Sequence, residues 1–163
     1  MEVGEEFDVG GVFTRQEVEI SVRDTTETLR DRLIEAGCEL LVSTLGDGLG
    51  EPVPQVGEIV WAEKITPQER EIEWELEAEK IDRLVRIGGA WTTFRGERFK
   101  IWKAEANTQE IQGPPGQLVG DQVTSGKGAL RLIEVQSQNR ARQAFDSWKL
   151  GARLEENCVF GDG

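Results

Sequence analysis

The stretch AWTTFRGERFKIWKA, residues 90–104, decides the fold of the second half of the chain. Two runs rich in aromatic and β-branched side chains flank Gly96, and glycine supplies the backbone freedom that a tight turn requires. On the second run the apolar Phe99 and Ile101 alternate with other residues, which is the period of a strand with one buried face. The stretch therefore predicts an antiparallel β-hairpin.

Further short strands are predicted downstream of this hairpin. Residues 117–120 and 122–124 are separated by a Gly-Asp turn, and residues 129–135 follow another glycine turn. About five short strands with tight turns are typical of a small closed or half-open β-barrel. Residues 140–150 predict a short helix that closes this domain.

The first half of the chain has a helical texture with one predicted strand. Residues 11–20 are predicted as a strand, because Val18 and Ile20 alternate with Glu17 and Glu19. Asp24 and Glu27 have the spacing of a capping box, and the apolar series that follows predicts a helix that runs to Leu45. An extended connector and a second amphipathic helix, over residues 75–87, are expected next.

Charge divides the chain into two unequal parts. The 163 residues carry 19 bases and 31 acids, a net charge of −12. Residues 1–89 hold 22 acids and 9 bases, whereas residues 90–163 hold 9 acids and 10 bases. The step falls at the glycine pair 88–89, which predicts a domain boundary there. Acidic helices are common in soluble proteins, so the charge step alone does not identify a polyanionic partner.

Composition excludes several kinds of site. The chain contains no histidine, so it supplies no imidazole base, no Ser-His or Cys-His pair and no histidine metal ligand. Cys38 and Cys158 are too few for a zinc finger or a disulfide-rich scaffold, and they fit the reducing cytoplasm. No run approaches the ~18 apolar residues of a membrane span, and the acidic N-terminus does not predict a signal peptide. We therefore expect a cytoplasmic protein with no membrane partner.

Three groups of residues are candidates for chemistry, and each also has a structural interpretation. Asp8 precedes a glycine pair and is either an acid/base group or a turn residue. The acids between residues 69 and 79 form a solvated face rather than a metal site, so no metal is predicted. The hairpin carries tryptophans and bases that fit stacking on single-stranded nucleic acid, or else a tryptophan core with solvated charges. These hairpin residues are Trp91, Arg95, Arg98, Lys100, Trp102 and Lys103.

Several segments, in order, resemble methionyl-tRNA formyltransferases. The resemblance covers residues 2–155 and is more specific than any single motif in it. The segments are EEFDVGGVF at 5–13, DTTETL at 24–29, PQ at 54–55, WAEKI at 61–65, EREIEW at 69–74, AWTTFRG at 90–96, KIWKA at 100–104 and GALRLIEVQ at 128–136. Residues 86–90 depart from the pattern, because the family has a longer, proline-containing stretch at this hinge.

The resemblance implies an α+β fold composed of part of one domain followed by a second domain. Residues 1–50 would be the C-terminal remnant of the formyltransferase α/β catalytic domain and residues 51–89 a linker with short helices. Residues 90–163 would be the small OB-like β-barrel. The implied reaction transfers a formyl group from 10-formyltetrahydrofolate to the amino group of methionine on initiator tRNA. Asp8 matches the catalytic aspartate, but its family partners Asn and His, and most of the folate pocket, are expected to lie in a missing N-terminal half. We expect this chain to be inactive alone.

The resemblance also implies that the barrel contacts tRNA through charge on its surface. The candidate tRNA-binding residues are Lys64 in the linker and Arg95, Arg98, Lys100, Lys103, Lys127 and Arg131 in the barrel. Initiator methionyl-tRNA is the expected partner, DNA is not, and the missing N-terminal half is a second candidate. Two alternatives stay open, which are a stand-alone barrel that binds RNA or protein and the tail of a sugar-nucleotide formyltransferase. The WAEKI segment at 61–65 favours the tRNA enzyme.

Overall fold

The computed structural model describes residues 1–155 and 157–162 and divides the chain into two compact units. The N-terminal unit is Met1–Glu63 and the C-terminal unit is Lys64–Gly163. This division precedes the glycine pair at 88–89, where composition predicted the boundary. No helix within the described residues is both long enough and apolar enough to cross a membrane.

The N-terminal unit contains one helix, α1, Thr26–Asp47. Thr25 caps it, because its hydroxyl oxygen accepts from the backbone N–H of Thr28 at 3.2 Å and its own N–H donates to the Thr28 hydroxyl at 3.0 Å. The capping box therefore consists of two threonines and not of Asp24 and Glu27, as predicted. Asp24 lies one residue too early and accepts from the Thr28 hydroxyl instead.

The strand predicted over residues 11–20 is wrong. Only Val12 is paired, in an isolated bridge to Val53 in which each N–H donates to the other's carbonyl at 2.9 and 3.0 Å. A strand needs a neighbouring strand along its length, and none of the other described residues pairs with 13–20. Alternation of side chains alone does not supply that partner.

The C-terminal unit is an antiparallel sheet with a helix on each side of it in sequence. Its elements are a 3₁₀ turn at Gln68–Arg70, α2 at Ala78–Ile87, β1 at Trp91–Phe94, β2 at Glu97–Asn107, β3 at Leu118–Val119, β4 at Gln122–Thr124, β5 at Ala129–Ser137, β6 at Gln143–Ala144 and α3 at Phe145–Gly151. The strand order is β1-β2-β5-β4-β3, and β6 pairs with β5. The predicted hairpin, the later strands and the closing helix are confirmed.

A β-bulge changes which side chains of β2 face the core. The register against β5 shifts on both sides of Lys103. Phe99 and Ile101 are buried as their alternation predicts, but Ala104 is also buried, although strict alternation places it outward with Trp102. The extra residue at the bulge shifts the alternation by one position, so Ala104 faces the core and Lys103 is exposed.

Residues that precede β1 in the chain complete the core of the C-terminal unit. Ile72, Trp74 and Ile81 are each at most 5% exposed and belong to the same apolar cluster as the strands. Trp74 also donates its indole N–H to the Thr92 hydroxyl at 3.0 Å. Residues 64–89, predicted as linker, are thus part of the folded C-terminal unit.

The C-terminal segment connects the two edges of the sheet. The N–H of Leu118 on β3 donates to the Cys158 carbonyl at 2.8 Å, and the N–H of Gly161 donates to the Thr93 carbonyl on β1 at 2.9 Å. Phe160 between them is 1% exposed. Strand pairing among the described residues does not itself close a barrel, so the unit is a small, half-open β domain.

Candidate nucleic-acid interface

Four side chains form the outer face of the β1–β2 hairpin. The register places Trp91 opposite Lys100, and strand alternation puts Arg98, Lys100 and Trp102 on the same side of β2. On the opposite side, Phe99 is buried in the core. We call Trp91, Arg98, Lys100 and Trp102 the outer hairpin face. Trp91 and Trp102 therefore lie at the surface, whereas Trp74 and Trp148 are buried in the core. The composition alone did not distinguish these two positions.

Trp91 is held at this face by a turn from the preceding segment. Its indole N–H donates to the Pro67 carbonyl at 2.7 Å, and the Arg98 guanidinium lies over its ring, 4.0 Å from the centroid. Thr66 and Glu69 brace the turn, since both the N–H and the hydroxyl of Thr66 donate to the Glu69 carboxylate at 2.8 Å. The backbone hydrogen bond from Thr66 lowers the pKa of Glu69, with a further contribution from the hydroxyl.

Trp102 is held by a residue of the neighbouring strand β5 and by Arg142, which immediately precedes β6. Its indole N–H donates to the side-chain oxygen of Gln136 at 3.0 Å, and the Arg142 guanidinium lies 4.8 Å from its ring centroid. Arg142 also forms a 2.6 Å ion pair with Glu134. Arg142 was not predicted as a site residue, because it lies forty residues along the chain from Trp102 and follows no local pattern.

A cleft of about 480 Å³ opens beside the outer hairpin face. Its lining includes Trp91, Trp102 and three bases, which are Arg70, Arg98 and Lys100. None of the described lining residues is acidic. Sequence reasoning missed Arg70, because Arg70 lies within the run of acids at 69–79. The 3₁₀ turn at Gln68–Arg70 brings Arg70 to the cleft.

Gly89 allows Arg70 to reach this position. Gly89 has φ of +75°, and a side-chain carbon there would lie 3.0 Å from the Arg70 guanidinium nitrogen. The Nε atom of Arg70 is buried and has no hydrogen-bond partner among the described residues. The cleft thus contains a guanidinium whose hydrogen-bonding capacity is not fully used within the chain.

The other predicted bases do not join this face. Arg95 is at the hairpin turn with φ of +52°, and its guanidinium donates to the carbonyls of Ala152 and Arg153 at 3.1 and 2.9 Å. Lys127 is exposed and lies 3.9 Å from the Glu77 carboxylate. Arg95 therefore binds backbone, and Lys127 lies beside an acid.

Arg131 shows the largest difference from expectation. Arg131 is expected from the sequence to be available to tRNA, but two acids, Glu105 and Asp121, lie beside it. Glu105 is opposite Arg131 in the β2–β5 register, and Arg131 forms ion pairs of 3.5 and 3.0 Å with Glu105 and Asp121. Lys103 is exposed beside the bulge, and Lys64 is exposed and immediately precedes Ile65 of the cleft.

Comparison with known proteins identifies the family. Residues 64–153 match the family described as "Formyl transferase, C-terminal domain". The chain belongs to the formyl transferase family. This match covers the sheet, α2 and α3, which are the elements that carry the outer hairpin face and the cleft.

Curated relatives extend the similarity of this formyl transferase chain to its N-terminal unit. It is 36% identical over 174 residues to the methionyl-tRNA formyltransferase of Thermobifida fusca, covering 99% of this chain and 56% of the relative. It is 36% identical to that of Streptomyces coelicolor, covering 98% and 56%. The chain spans about half the length of the curated relatives it matches.

Solved structures share the fold of this formyl transferase chain. A variant of HypX from Aquifex aeolicus has a TM-score of 0.71 at 18% identity, covering 95% of this chain and 30% of HypX. HypX in complex with tetrahydrofolic acid has a TM-score of 0.70 at 19% identity, covering 94% and 30%. At this identity the likeness concerns the fold alone.

Asp8 lies in the N-terminal unit of the formyl transferase chain. It is exposed, with φ of +59°, and its carbonyl accepts from the side-chain amide of Gln55 at 2.8 Å. The same amide donates to the Gly10 carbonyl at 3.0 Å. The structure thus brings together two of the segments that carry the resemblance, at 5–13 and 54–55. The Asp8 carboxylate has no hydrogen bond or ion pair within the described part of the chain.

Proposed function

We propose that this chain supplies the tRNA-binding portion of a methionyl-tRNA formyltransferase. The reaction would transfer a formyl group from 10-formyltetrahydrofolate to the amino group of methionine on initiator tRNA. The names of the curated relatives support the reaction. The observation that carries the tRNA role is the cleft beside the outer hairpin face, which two tryptophans and three bases line without an acid among the described lining residues.

Electrostatics favour a local contact rather than a broad one. The N-terminal unit, Met1–Glu63, holds 4 bases and 15 acids, a net charge of −11, and the C-terminal unit holds 15 bases and 16 acids, a net charge of −1. Neither net charge attracts a phosphate backbone over a long range. Binding would therefore depend on Arg70, Arg98 and Lys100, none of which forms an ion pair among the described residues.

Asp8 is proposed as the acid/base group of the reaction, on the strength of the EEFDVGG resemblance at 5–13. As the methionine amine attacks the formyl carbon it must lose a proton, and a carboxylate within hydrogen-bond reach can accept it. The developing oxyanion needs donors, and the side-chain amide of Gln55 beside Asp8 already donates to the carbonyls of Asp8 and Gly10. The described residues around Asp8 do not form a folate site, so we derive no step through the folate from them.

A second polypeptide region is proposed to provide that site. α1 has no buried residue, and several of its apolar side chains are about half exposed or more, namely Leu33, Ile34, Leu41, Val42 and Leu45. Such a face favours contact with another apolar surface. We propose that it packs against the catalytic portion of the enzyme, which would also contribute an imidazole that this chain lacks. A reaction on initiator tRNA would take place in the cytoplasm, where free Cys38 and Cys158 are expected to persist.

Binding of initiator methionyl-tRNA, measured by filter binding at several salt concentrations, tests the tRNA role. Each phosphate contact contributes about 0.9 to the salt slope for a duplex. The double variant Arg98→Gln/Lys100→Gln should therefore lower affinity and reduce the slope by up to about two units. Lys80→Gln/Arg83→Gln removes two exposed charges from α2 and serves as the matched control. Equal slopes in the parent and both variants would exclude the outer hairpin face as the tRNA contact.

Activity is tested separately from binding. The purified chain, incubated with 10-formyltetrahydrofolate and charged initiator tRNA, should form no formyl-methionyl-tRNA, because it supplies no imidazole and no folate site around Asp8. Adding the part of the Thermobifida fusca relative that this chain does not match should restore product. Turnover by the chain alone would overturn the division of roles between the two portions.

A further inference from the structure

We propose that the cleft beside the outer hairpin face holds one unpaired nucleotide of the RNA, with its base stacked on tryptophan and its phosphate near Arg70 and Lys100. This inference rests on the proposed function and makes it specific, because it names which feature of the RNA the cleft recognises. An unpaired base differs from a duplex in exposing the aromatic face on which stacking depends.

The two tryptophans are fixed before any ligand arrives. The Trp91 indole N–H is hydrogen-bonded to Pro67 and the Trp102 indole N–H to Gln136, at 2.7 and 3.0 Å. Both rings remain partly exposed and line the cleft. Rings held in place lose little conformational freedom when a base stacks on them, which favours affinity. The Arg98 guanidinium lies over one face of Trp91, so this ring already stacks with a flat cationic group.

The bases that line the cleft form no ion pair with any acid among the described residues. Three other arginines of the C-terminal unit, Arg86, Arg131 and Arg142, do form ion pairs, and none of them is among the described residues that line the cleft. Arg70, by contrast, has a buried Nε with no hydrogen-bond partner among the described residues. An anion that binds in the cleft can form charge-assisted hydrogen bonds with this guanidinium. A phosphate group supplies that anion.

Both the size of the cleft and the chemistry of its lining fit a single nucleotide. Its volume of about 480 Å³ lies within the range of about 300–1,000 Å³ of small-molecule sites. A paired base is covered on both faces by its neighbours and cannot enter such a cleft. A duplex would therefore contact only the charges at its rim. Free nucleotides share this chemistry, so the test must separate an RNA nucleotide from a mononucleotide.

Fluorescence anisotropy of a labelled single-stranded adenosine hexamer, with the full chain, tests the proposal. Trp102→Leu should weaken hexamer binding about 5- to 150-fold, the range measured for one stacked base, and Trp102→Phe should retain most of it. Binding of a labelled RNA hairpin duplex should change less than about twofold. Trp61→Leu is the matched control, because Trp61 is 78% exposed in the other unit. Thermal unfolding of each variant checks that the fold is intact.

Arg70→Gln provides a second variant that leaves both tryptophans in place. Arg70→Gln should weaken binding of the hexamer, whereas the control Trp61→Leu should bind the hexamer more tightly than Arg70→Gln does. Competition with AMP and with inorganic phosphate distinguishes a nucleotide within RNA from a free nucleotide. AMP should compete with the labelled hexamer at least tenfold less well than unlabelled hexamer does. AMP competing equally would assign the cleft to a free nucleotide and overturn the RNA proposal.

The failure of this proposal differs from the failure of the proposed function. If tRNA binding keeps its dependence on Arg98 and Lys100 while Trp102→Leu and Arg70→Gln bind the hexamer normally, the cleft is not a nucleotide site and the tRNA role stands. Equal weakening of hexamer and duplex by Trp102→Leu would also overturn stacking. If the parent chain binds neither tRNA nor hexamer, both proposals fail.

Discussion

Phe160→Ala should strongly destabilise the C-terminal unit, although Phe160 lies beyond the residues that match the family, 64–153. Phe160 is 1% exposed, and its ring centroid lies 5.0 Å from Phe94, 5.2 Å from Phe99 and 6.1 Å from Trp74. Its N–H also donates to the Gly116 carbonyl at 2.8 Å. The substitution removes the ring from the centre of an aromatic cluster and leaves a cavity.

The expected cost is about 3–5 kcal/mol, the range for truncating a buried phenylalanine to alanine. A domain of this size has a total stability of about 5–15 kcal/mol, so the loss is a large share of it. With an m-value of about 2 kcal/mol/M in urea, the unfolding midpoint should fall by about 1.5–2.5 M. The backbone hydrogen bond to Gly116 does not require the ring, so the estimate counts the packing loss alone.

Urea unfolding monitored by tryptophan fluorescence measures this effect, because four of the five tryptophans lie in the C-terminal unit. Phe7→Ala is the matched control, since Phe7 is 90% exposed in the N-terminal unit and its loss should change stability by less than about 0.5 kcal/mol. A midpoint for Phe160→Ala within about 0.5 M of the parent would show that the C-terminal segment is not part of the core.

Three further predictions follow from the packing and the charges. Gly126→Ala should cost about 1–3 kcal/mol, because its Cβ would overlap a backbone carbonyl oxygen of the neighbouring segment, whereas Gly151→Ala has open space and should be tolerated in thermal unfolding. Glu69→Gln should lower stability at neutral pH, and the difference from the parent should disappear as pH falls through the lowered Glu69 pKa, since the hydrogen bonds from Thr66 favour the charged form; a difference that persists in acid would refute this origin. Limited proteolysis should cleave within residues 1–63 before it cleaves the sheet, because α1 buries no residue in its own unit.

The sequence predicted the elements whose signals are local. The hairpin followed from Gly96 between two β-favouring runs, and α1 from its apolar series. The alternation in the sequence also predicted that Phe99 faces the core and Trp102 faces outward, and this holds for β2 up to the bulge. Beyond Lys103 the alternation failed, because a bulge is fixed by pairing with β5 and leaves no pattern in β2 itself.

What the sequence missed depends on contacts between distant segments. Phe160 is an isolated aromatic residue in an aperiodic tail, and only the folded sheet shows that it fills the core. Arg70 reaches the cleft through the position of a turn and the absence of a side chain at Gly89. Arg131 faces Glu105 because of strand register, which composition does not reveal. Three of the seven bases predicted to bind tRNA, Arg95, Lys127 and Arg131, therefore contact backbone carbonyls or acids instead.

The central claim is that RNA contacts the outer hairpin face, and the indole N–H signals of the five tryptophans test it most directly. In a ¹H–¹⁵N NMR titration of the full chain with initiator tRNA, the signals of Trp91 and Trp102 should shift or broaden first. Those of Trp74 and Trp148, which are 3% and 7% exposed, should stay in place at substoichiometric tRNA. Changes confined to Trp61, or the absence of change at both Trp91 and Trp102 while tRNA is bound, would contradict the account.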